Sequence, residues 1–563
     1  FLQGNGVSTA YAVKIFKTYG NDSISIVKNN PYRLADDIWG IGFKTADKIA
    51  RQIGFEKDSY ERCRSGIIYV LNEFANEGHC YAQREQLLAK AAKILEQEEG
   101  LISSTLETLV EEQSIILDEG NALYLPPFFY SEKGTAKRIR EIMAGRKSLS
   151  CRSIREITKG LQDELGFDYD QIQLEAINAA ASTKFMVLTG GPGTGKTTTI
   201  LAIIHVLQRM GGRILLAAPT GRAAKRMSEI TGMEAKTIHR LLEYKPPGGY
   251  QKTAENPLDC DVLIVDEASM IDIILMYNLL KAVPDEAAVI LVGDIDQLPS
   301  VGAGNVLRDI IDSGIVTVVK LKRIFRQAMG SAIIRNAHRI NKGMMPLLRG
   351  GRDSDFFFIE EEDPEKIAKT IKSLCTKRLP RYYKVNPLED IQVLCPMQRG
   401  AIGAQNLNLL LQESLNPGSV SIKYGGAFFR PNDKVMQIKN NYDKNVFNGD
   451  IGIISNIDTE NRIISINFEG NMVDYDTTEL DEIIHAYATT VHKSQGSEFK
   501  IVVAPIAIQH YMMLQRNLLY TCVTRAKKIL VLVGTKKAVG IAVSNDSIRQ
   551  RNTLLAKRLA AGQ

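Results

Sequence analysis

The sequence predicts an α/β protein: two parallel-sheet units follow a helical N-terminal region, and a small β-barrel is inserted into the second unit. Three observations carry this. Between 166 and 340, continuous apolar runs such as Phe185–Thr189, Arg213–Ala217, Val262–Asp266 and Ala288–Val292 alternate with helical patterns. Strands that are apolar throughout and separated by helices belong to a parallel sheet covered on both faces. A second series follows, with runs near Ile391–Leu394, Ile501–Ala504 and Ile529–Val533. Between its parts, residues 420–480 hold Asp433–Ile438, Asp450–Ile457, Arg462–Phe468 and Met472–Tyr475, separated by Asn, Gly and Asp. Short strands with such turns read as a small barrel.

The 563 residues are too many for one core and suit several domains. Hydrophobic residues at 44% and charged residues at 24% exclude a disordered chain. The net charge of +6 permits a phosphate-backbone partner without demonstrating one. The seven cysteines include no C-x-x-C pair, and Cys63 and Cys80 beside His79 match no zinc or iron–sulfur spacing. Reduced thiols and a cytoplasmic location (bacterial cytosol or nucleoid) are therefore expected. No apolar run approaches membrane-spanning length and no secretory signal is visible, so no membrane partner is expected. The chain opens at Phe1 inside a motif-like stretch and reads as a fragment that has lost N-terminal sequence.

Residues 1–56 contain a repeat. Gly4-Asn5-Gly6-Val7-Ser8-Thr9-Ala10 recurs as Gly40-Ile41-Gly42-Phe43-Lys44-Thr45-Ala46, and each copy runs into a helical pattern. Gly-x-Gly before a helix turns the backbone tightly and frees N–H groups that can hold a phosphate. The two units resemble tandem helix-hairpin-helix modules, which grip DNA backbones without reading sequence; that resemblance implies DNA contacts at Gly4, Gly6, Gly40 and Gly42. A pair of purely structural helix turns is the rival explanation. Residues 57–165 look like a helical or winged-helix accessory region with a small hairpin near 114–125 and no visible chemistry.

Gly190-Gly191-Pro192-Gly193-Thr194-Gly195-Lys196-Thr197 is a full Walker A sequence, placed after an apolar run and before a helical one. Its glycines let backbone N–H groups wrap phosphates, Lys196 neutralises them, and the Thr197 hydroxyl suits Mg²⁺. Asp266-Glu267 ends the run Val262-Leu263-Ile264-Val265. Asp266 suits the metal, and Glu267 suits orienting and deprotonating water. ATP and Mg²⁺ are the expected cofactors.

The remaining segments narrow the class. Gln173-Leu174-Glu175-Ala176, Ala218-Pro219-Thr220-Gly221-Arg222, Thr237-Ile238-His239-Arg240, Gly293-Asp294-Ile295-Asp296-Gln297-Leu298-Pro299, Ile324-Phe325-Arg326-Gln327, Thr490-Val491-His492-Lys493-Ser494-Gln495-Gly496-Ser497-Glu498 and Leu519-Tyr520-Thr521-Cys522-Val523-Thr524-Arg525 stand in order along the chain. They resemble helicase motifs Q, Ia, Ib, III, IV, V and VI of superfamily 1, in the forms of the RecD-like family (RecD and Dda type, stand-alone form).

The resemblance implies two RecA-like motor domains at 166–340 and 341–563, with the 420–480 insert an SH3-like barrel. It implies nucleotide contacts from Gln173, Gly191, Pro192, Gly193, Thr194, Gly195, Lys196, Thr197, Thr198 and Glu498, γ-phosphate sensing by Gln297, and arginine fingers Arg326 and Arg525. Pro219, Thr220, Arg222, His239, His492 and Lys493 would touch single-stranded DNA. Tyr244-Lys245-Pro246-Pro247-Gly248-Gly249-Tyr250 suits a tight hairpin; in this family a hairpin there, at about 244–258, is the strand-splitting pin, with a plain surface loop as the rival. Lys423, Arg430, Lys434, Lys439 and Lys444 on the barrel, beside Tyr424, Phe428 and Phe429, would track phosphates, or else form a solvated face.

Movement 5′→3′ rests on the resemblance alone. The only Trp, Trp39, lies outside motif III, where 3′→5′ relatives place one. Expected partners are single-stranded DNA and single-strand/duplex junctions, with a monomeric chain and contacts to single-strand-binding or repair proteins. Three alternatives stay open: the motor subunit of an exodeoxyribonuclease V-type complex, an RNA or RNA–DNA helicase of the same superfamily, and a DNA-binding scaffold with a dead ATPase.

Overall fold

The computed structural model describes the chain except residues 1–3, 5, 6, 8, 39, 148, 150–153, 167, 246, 247, 326–329, 352, 419, 442, 547–549, 562 and 563. Gly6, Trp39 and Arg326 therefore lie outside the described residues.

In the N-terminal repeat, Thr9–Tyr19 and Phe43–Ile53 are helices. Gly42 caps the second, and Gly54 ends it at φ +92, a left-handed turn that costs glycine nothing. Tyr60–Asn76, Arg84–Leu95 and Glu99–Glu111 then pack with three short strands ordered Tyr81–Gln83, Ala122–Tyr124, Ile116–Asp118. Three helices and a three-stranded antiparallel sheet thus make up this region. Arg62 joins it to the repeat: it is fully buried, and its Nε donates to Asp47 Oδ1 at 2.7 Å.

The first motor sheet is six-stranded and parallel, ordered Thr317–Leu321, Phe185–Gly190, Ala288–Gly293, Val262–Val265, Ile214–Ala218, Ala235–Thr237. Val262–Val265 and Ala288–Gly293 are buried at every position, which is why they read as continuous apolar runs. The second sheet, also parallel, is ordered Phe356–Glu360, Ala526–Gly534, Phe499–Ile506, Ile391–Cys395, Ala488–Thr490. The inserted domain is a five-stranded antiparallel sheet, Asn471–Asp476, Ile463–Phe468, Ile451–Asp458, Lys434–Gln437, Ile483–His485, with a bulge between Ile454 and Asn456.

Two boundaries differ from the expectation, because tertiary packing overrides chain order. The helix Ala332–Asn341 packs on Arg516–Thr524, so the second motor unit begins before 341. At the other end, Leu555–Ala561 leaves that unit and packs on Pro126–Ala144 and Val306–Asp312. Arg551 donates to the carbonyls of Ser300, Gly302 and Gly304, and Arg558 Nε to Glu132. The C-terminal segment thus straps the first motor to the accessory region.

The insert is held to the second motor by a buried carboxylate. Asp433 accepts from Tyr487 Oη (2.8 Å), Asn416 Nδ2 (2.7 Å), Gln412 Nε2 (2.6 Å) and the Arg430 N–H (2.8 Å), with His485 Nε2 at 3.1 Å. Burial opposes its charge, but these partners outweigh burial and hold Asp433 below the usual carboxylate range. Its folded pKa is depressed, so its stabilisation is present above the unfolded value and is lost as pH falls through the folded one. Asp433→Ala is expected to cost about 3 kcal/mol, since it strands several buried polar partners. Urea unfolding at neutral pH, followed through the insert, measures this.

Candidate nucleotide cleft between the two motors

Phe185–Gly190 ends at the P-loop, and Lys196–Arg209 begins there as a helix. Gly195 caps that helix at φ +81. A Cβ on it would lie 2.8 Å from the Phe325 ring and 2.9 Å from Gln173 Nε2, so only glycine fits. The loop borders a cleft of about 290 Å³. Gly191, Pro192, Gly193, Thr194, Gly195, Lys196, Thr197, Asp266, Glu267 and Gln297 line it from the first motor. Glu498 and Arg525 line it from the second.

Lys196 makes no ion pair among the described residues. Asp266 is raised above the usual carboxylate range, first by burial and then by the adjacent Glu267, while Lys196 opposes the shift. Glu267 sits at φ +50, a strained conformation for a residue with a side chain, and its N–H donates to Asp266 Oδ1 at 2.8 Å.

Arg525 is 2% exposed. Its Nη2 donates to Gln297 Oε1, and its Nη1 to the Ser497 carbonyl at 3.1 Å. Its Nε is buried with no protein partner, in a wall of the cleft. Lys196, which has no ion pair, and Arg525, whose guanidinium keeps one N–H unpartnered, line the same cavity and suit a polyanion such as a nucleoside triphosphate. Thr197 and Asp266 offer the oxygen donors that Mg²⁺ takes together with phosphates and water.

The motors also meet along motif III. The Tyr520 hydroxyl donates to Asp294 Oδ2 at 2.8 Å, Asn341 Nδ2 to Asp296 Oδ2 at 2.6 Å, and the Leu298 N–H to Thr521 Oγ1 at 2.9 Å. His338 Nε2 lies 3.3 Å from the Pro192 carbonyl of the P-loop. Tyr520, Asn341 and His338 were not singled out from sequence. Tyr520 stands inside a recognised motif, but nothing in the chain's spacing signals the other two.

Some expected residues are placed elsewhere. Gln173 does not border the cleft: its side chain closes a capping box, Oε1 accepting from the Asp170 N–H at 3.1 Å while its own N–H donates to Asp170 Oδ1 at 2.9 Å, and its Nε2 faces Thr199 Oγ1. The signal was present in Asp170-Gln171-Ile172-Gln173, a capping-box spacing. Thr198 is exposed beside the cleft and does not line it. Glu498 Oε1 accepts from Arg226 Nη1 at 2.6 Å, bridging the two motors.

Arg222 turns into the motor seam, donating to Ser497 Oγ at 2.9 Å with its guanidinium over the Phe499 ring. Thr220 caps the helix Gly221–Thr231 and lies against Gly496 of motif V, with Pro219 just before it. His492 is partly buried near Arg551, and Lys493 is exposed. His239 packs on Tyr244 and Tyr250 at the base of a hairpin, Tyr244–Lys245 paired with Gly249–Tyr250. In the repeat, Gly4 is exposed and Gly40 has φ +92, with Lys14 Nζ beside it.

The barrel cations correct the expectation of a phosphate track. Lys434 is buried and donates to the Ile391 carbonyl, Lys439 pairs with Asp481, Lys444 pairs with Glu479, and Arg430 Nη1 donates to the Asn416 carbonyl. Of the five, Lys423 alone makes no side-chain hydrogen bond or ion pair among the described residues, and it lies over the exposed Phe428 ring. The neighbouring acids come from other strands and cannot be read from local sequence.

The fold and the cleft define a two-motor P-loop NTPase. Residues 1–81 match the ATP-dependent RecD2 DNA helicase HHH domain, 173–303 an AAA domain, 407–468 the ATP-dependent RecD-like DNA helicase SH3 domain, and 485–533 the UvrD-like helicase C-terminal domain. The chain is 33% identical to the ATP-dependent RecD2 DNA helicase of Deinococcus radiodurans, over 100% of this chain and 77% of that protein. It is 31% identical to the RecBCD enzyme subunit RecD of Mycobacterium tuberculosis, over 77% of this chain and 80% of that one. With the same subunit of Mycolicibacterium smegmatis the figures are 30%, 78% and 82%. The chain belongs to the RecD-like family of superfamily 1 ATP-dependent DNA helicases, as its motifs implied.

Proposed function

We propose that the chain moves 5′→3′ along single-stranded DNA at the expense of ATP and opens duplex DNA ahead of it, in the cytosol, in repair or recombination. The observation that carries this is the shared cleft: Lys196, Asp266 and Glu267 stand on one motor and Arg525 on the other. Mg²⁺ held by Thr197 and Asp266 would offset charge on the phosphate oxygens. Glu267 positions and deprotonates water, Lys196 holds the phosphates, Gln297 senses the γ-phosphate, and Arg525 stabilises charge spreading over the transferred group. The finger role of Arg326 rests on its motif.

Closure of the cleft then depends on a γ-phosphate that both motors grip, a two-state element. Melting a base-pair step takes about 1.4 kcal/mol. Stacking a base returns about 1–3 kcal/mol. Passive binding therefore traps frayed ends without giving direction, which the ATP cycle supplies. The likeness of residues 1–81 to a RecD2 domain supports the stand-alone form over a subunit of a nuclease complex.

Duplexes carrying a 5′ or a 3′ single-stranded tail, incubated with ATP and Mg²⁺, test activity and direction together. Opening of the 5′-tailed duplex is expected; opening of the 3′-tailed one alone reverses the direction, and stimulation of ATPase by RNA but not DNA changes the substrate. The hairpin at Tyr244–Tyr250, braced by His239, is the proposed pin. Deleting 245–256 is expected to leave DNA-stimulated ATPase in place and remove unwinding; full unwinding by the deletion would show that the hairpin is only a loop.

A further inference from the structure

The outer edge of the second motor sheet carries a feature that ATP hydrolysis and DNA translocation do not use. Phe356–Glu360 is an edge strand. The Leu530 N–H donates to the Asp355 carbonyl and the Glu361 N–H to Gly534, so odd-numbered residues bond the inner strand. The N–H and C=O of Phe358 therefore face outward. Phe357, Phe358 and Ile359 are all only half-buried.

Beside this edge the helix that follows is interrupted by a π-helical turn, Leu374–Arg378, continues as Leu379–Tyr383, and stops at Lys384 in the left-handed conformation, φ +51. Such turns and strained residues concentrate at functional sites. Between strand and helix lies an open groove of about 730 Å³, floored by Phe357, Ile359, Leu374, Leu379 and Val531, with Tyr382 on its rim at 74% exposure. Arg378 and Arg381 also line it, and neither has a partner among the described residues. Residues 365–384 hold seven lysines and arginines against one acid, Glu365. The helix-capping Asp363 lies about 20 Å from Arg378 along the helix, and Glu360, at the end of the edge strand, is paired with Lys536.

We infer that this groove is a docking site for an acidic, extended peptide of another protein, which adds a strand to Phe356–Glu360. The Ser354 hydroxyl bonds the N–H and C=O of Phe356, so the outward N–H and C=O of Phe358 take the peptide's main chain, the apolar floor takes alternate bulky side chains, and Arg378 and Arg381 take its carboxylates. Nucleic acid fits less well. The floor is apolar, and this strand is at the opposite edge of the sheet from Ala488–Thr490, which leads into motif V. Four strand spacings separate them, roughly 19 Å. Nothing here depends on the motor's direction or on ATP.

The test uses the full chain and a fluorescein-labelled peptide of alternating aspartate with phenylalanine or isoleucine, read by anisotropy. The expected result is saturable binding that weakens with salt, falls by at least about tenfold in Arg378→Glu/Arg381→Glu, and falls again in Tyr382→Ser. Binding persists in Lys196→Ala, which separates failure here from failure of the helicase assignment. Equal binding of a peptide with lysine in place of aspartate, or unchanged affinity in the charge-reversed protein, overturns the proposal. So does competition by oligo(dT) with loss of oligo(dT) binding in that protein, which would assign the groove to nucleic acid. Tyr382 is exposed and its replacement leaves the core intact, so Tyr382→Ser decides the matter if the double variant melts early.

Discussion

Lys196→Ala is expected to lower DNA-stimulated ATP hydrolysis about 10²–10³-fold, the cost of removing one preorganised charge from a phosphoryl-transfer site. Lys196 begins the helix Lys196–Arg209, lines the cleft, and makes no ion pair that would keep it from a phosphate. It also acts on its neighbour Asp266. Burial and Glu267 push Asp266 toward its neutral form, and the Lys196 charge is the strongest of the groups opposing them. Without the lysine, Asp266 becomes harder to ionise and so harder to turn into a metal ligand. Hydrolysis should therefore fall at saturating single-stranded DNA, and extra Mg²⁺ should restore only part of it. DNA binding, measured by anisotropy without nucleotide, should persist, because none of the residues on the proposed DNA path lines the cleft that holds Lys196. Turnover near the wild-type rate would mean that the loop does not hold the triphosphate.

How much of this was legible before the fold was known follows from the range of each interaction. The P-loop, Asp266-Glu267 and the buried strands are written locally: eight consecutive residues make the phosphate cradle, and strands with both faces covered are apolar at every position. The cleft partners Gln297, Glu498 and Arg525 were reachable only through the order of the motifs, because the chain separates Arg525 from Lys196 by most of two motors. Residues whose role depends wholly on what folds against them were missed or misplaced. Lys434 looked like a phosphate-tracking cation and is buried against the Ile391 carbonyl. Arg222 looked like a DNA contact and lies in the motor seam on Ser497. His338 and Arg551 carried no signal, yet one touches the P-loop and the other straps the loop that follows motif III. Gln173 is the instructive exception: a local signature, the capping box, was present and competed with the adenine-reading role.

Arg525→Ala should have the larger effect, a loss of about 10³–10⁵ in turnover, as expected for an arginine finger. The geometry explains why a finger here must come from the second motor. Arg525 follows the helix Arg516–Thr524, whose Tyr520 and Thr521 bond Asp294 and Leu298 of the first motor, so any movement of the seam moves the guanidinium. Two of its nitrogens are held, by Gln297 and by the Ser497 carbonyl, while the buried Nε has none. A buried N–H without a partner costs about 1–3 kcal/mol. A γ-phosphate that met this N–H would relieve that cost, and because Arg525 belongs to the second motor, its contact would tie the fuel's terminal phosphate to the relative position of the two domains. Arg525→Lys should not rescue, because an ammonium cannot keep Gln297 and Ser497 while reaching a third acceptor in the plane of the fork. Binding of a fluorescent ATP analogue should survive in both variants, with the deficit in kcat rather than KM, since the interaction is strongest as charge develops. A structural role alone would instead weaken nucleotide binding and lower the melting temperature together. If Arg525→Ala hydrolyses ATP within about tenfold of wild type, well short of a finger's usual contribution, the two motors are not coupled through this residue, and the link from hydrolysis to movement would have to run through the motif III seam alone.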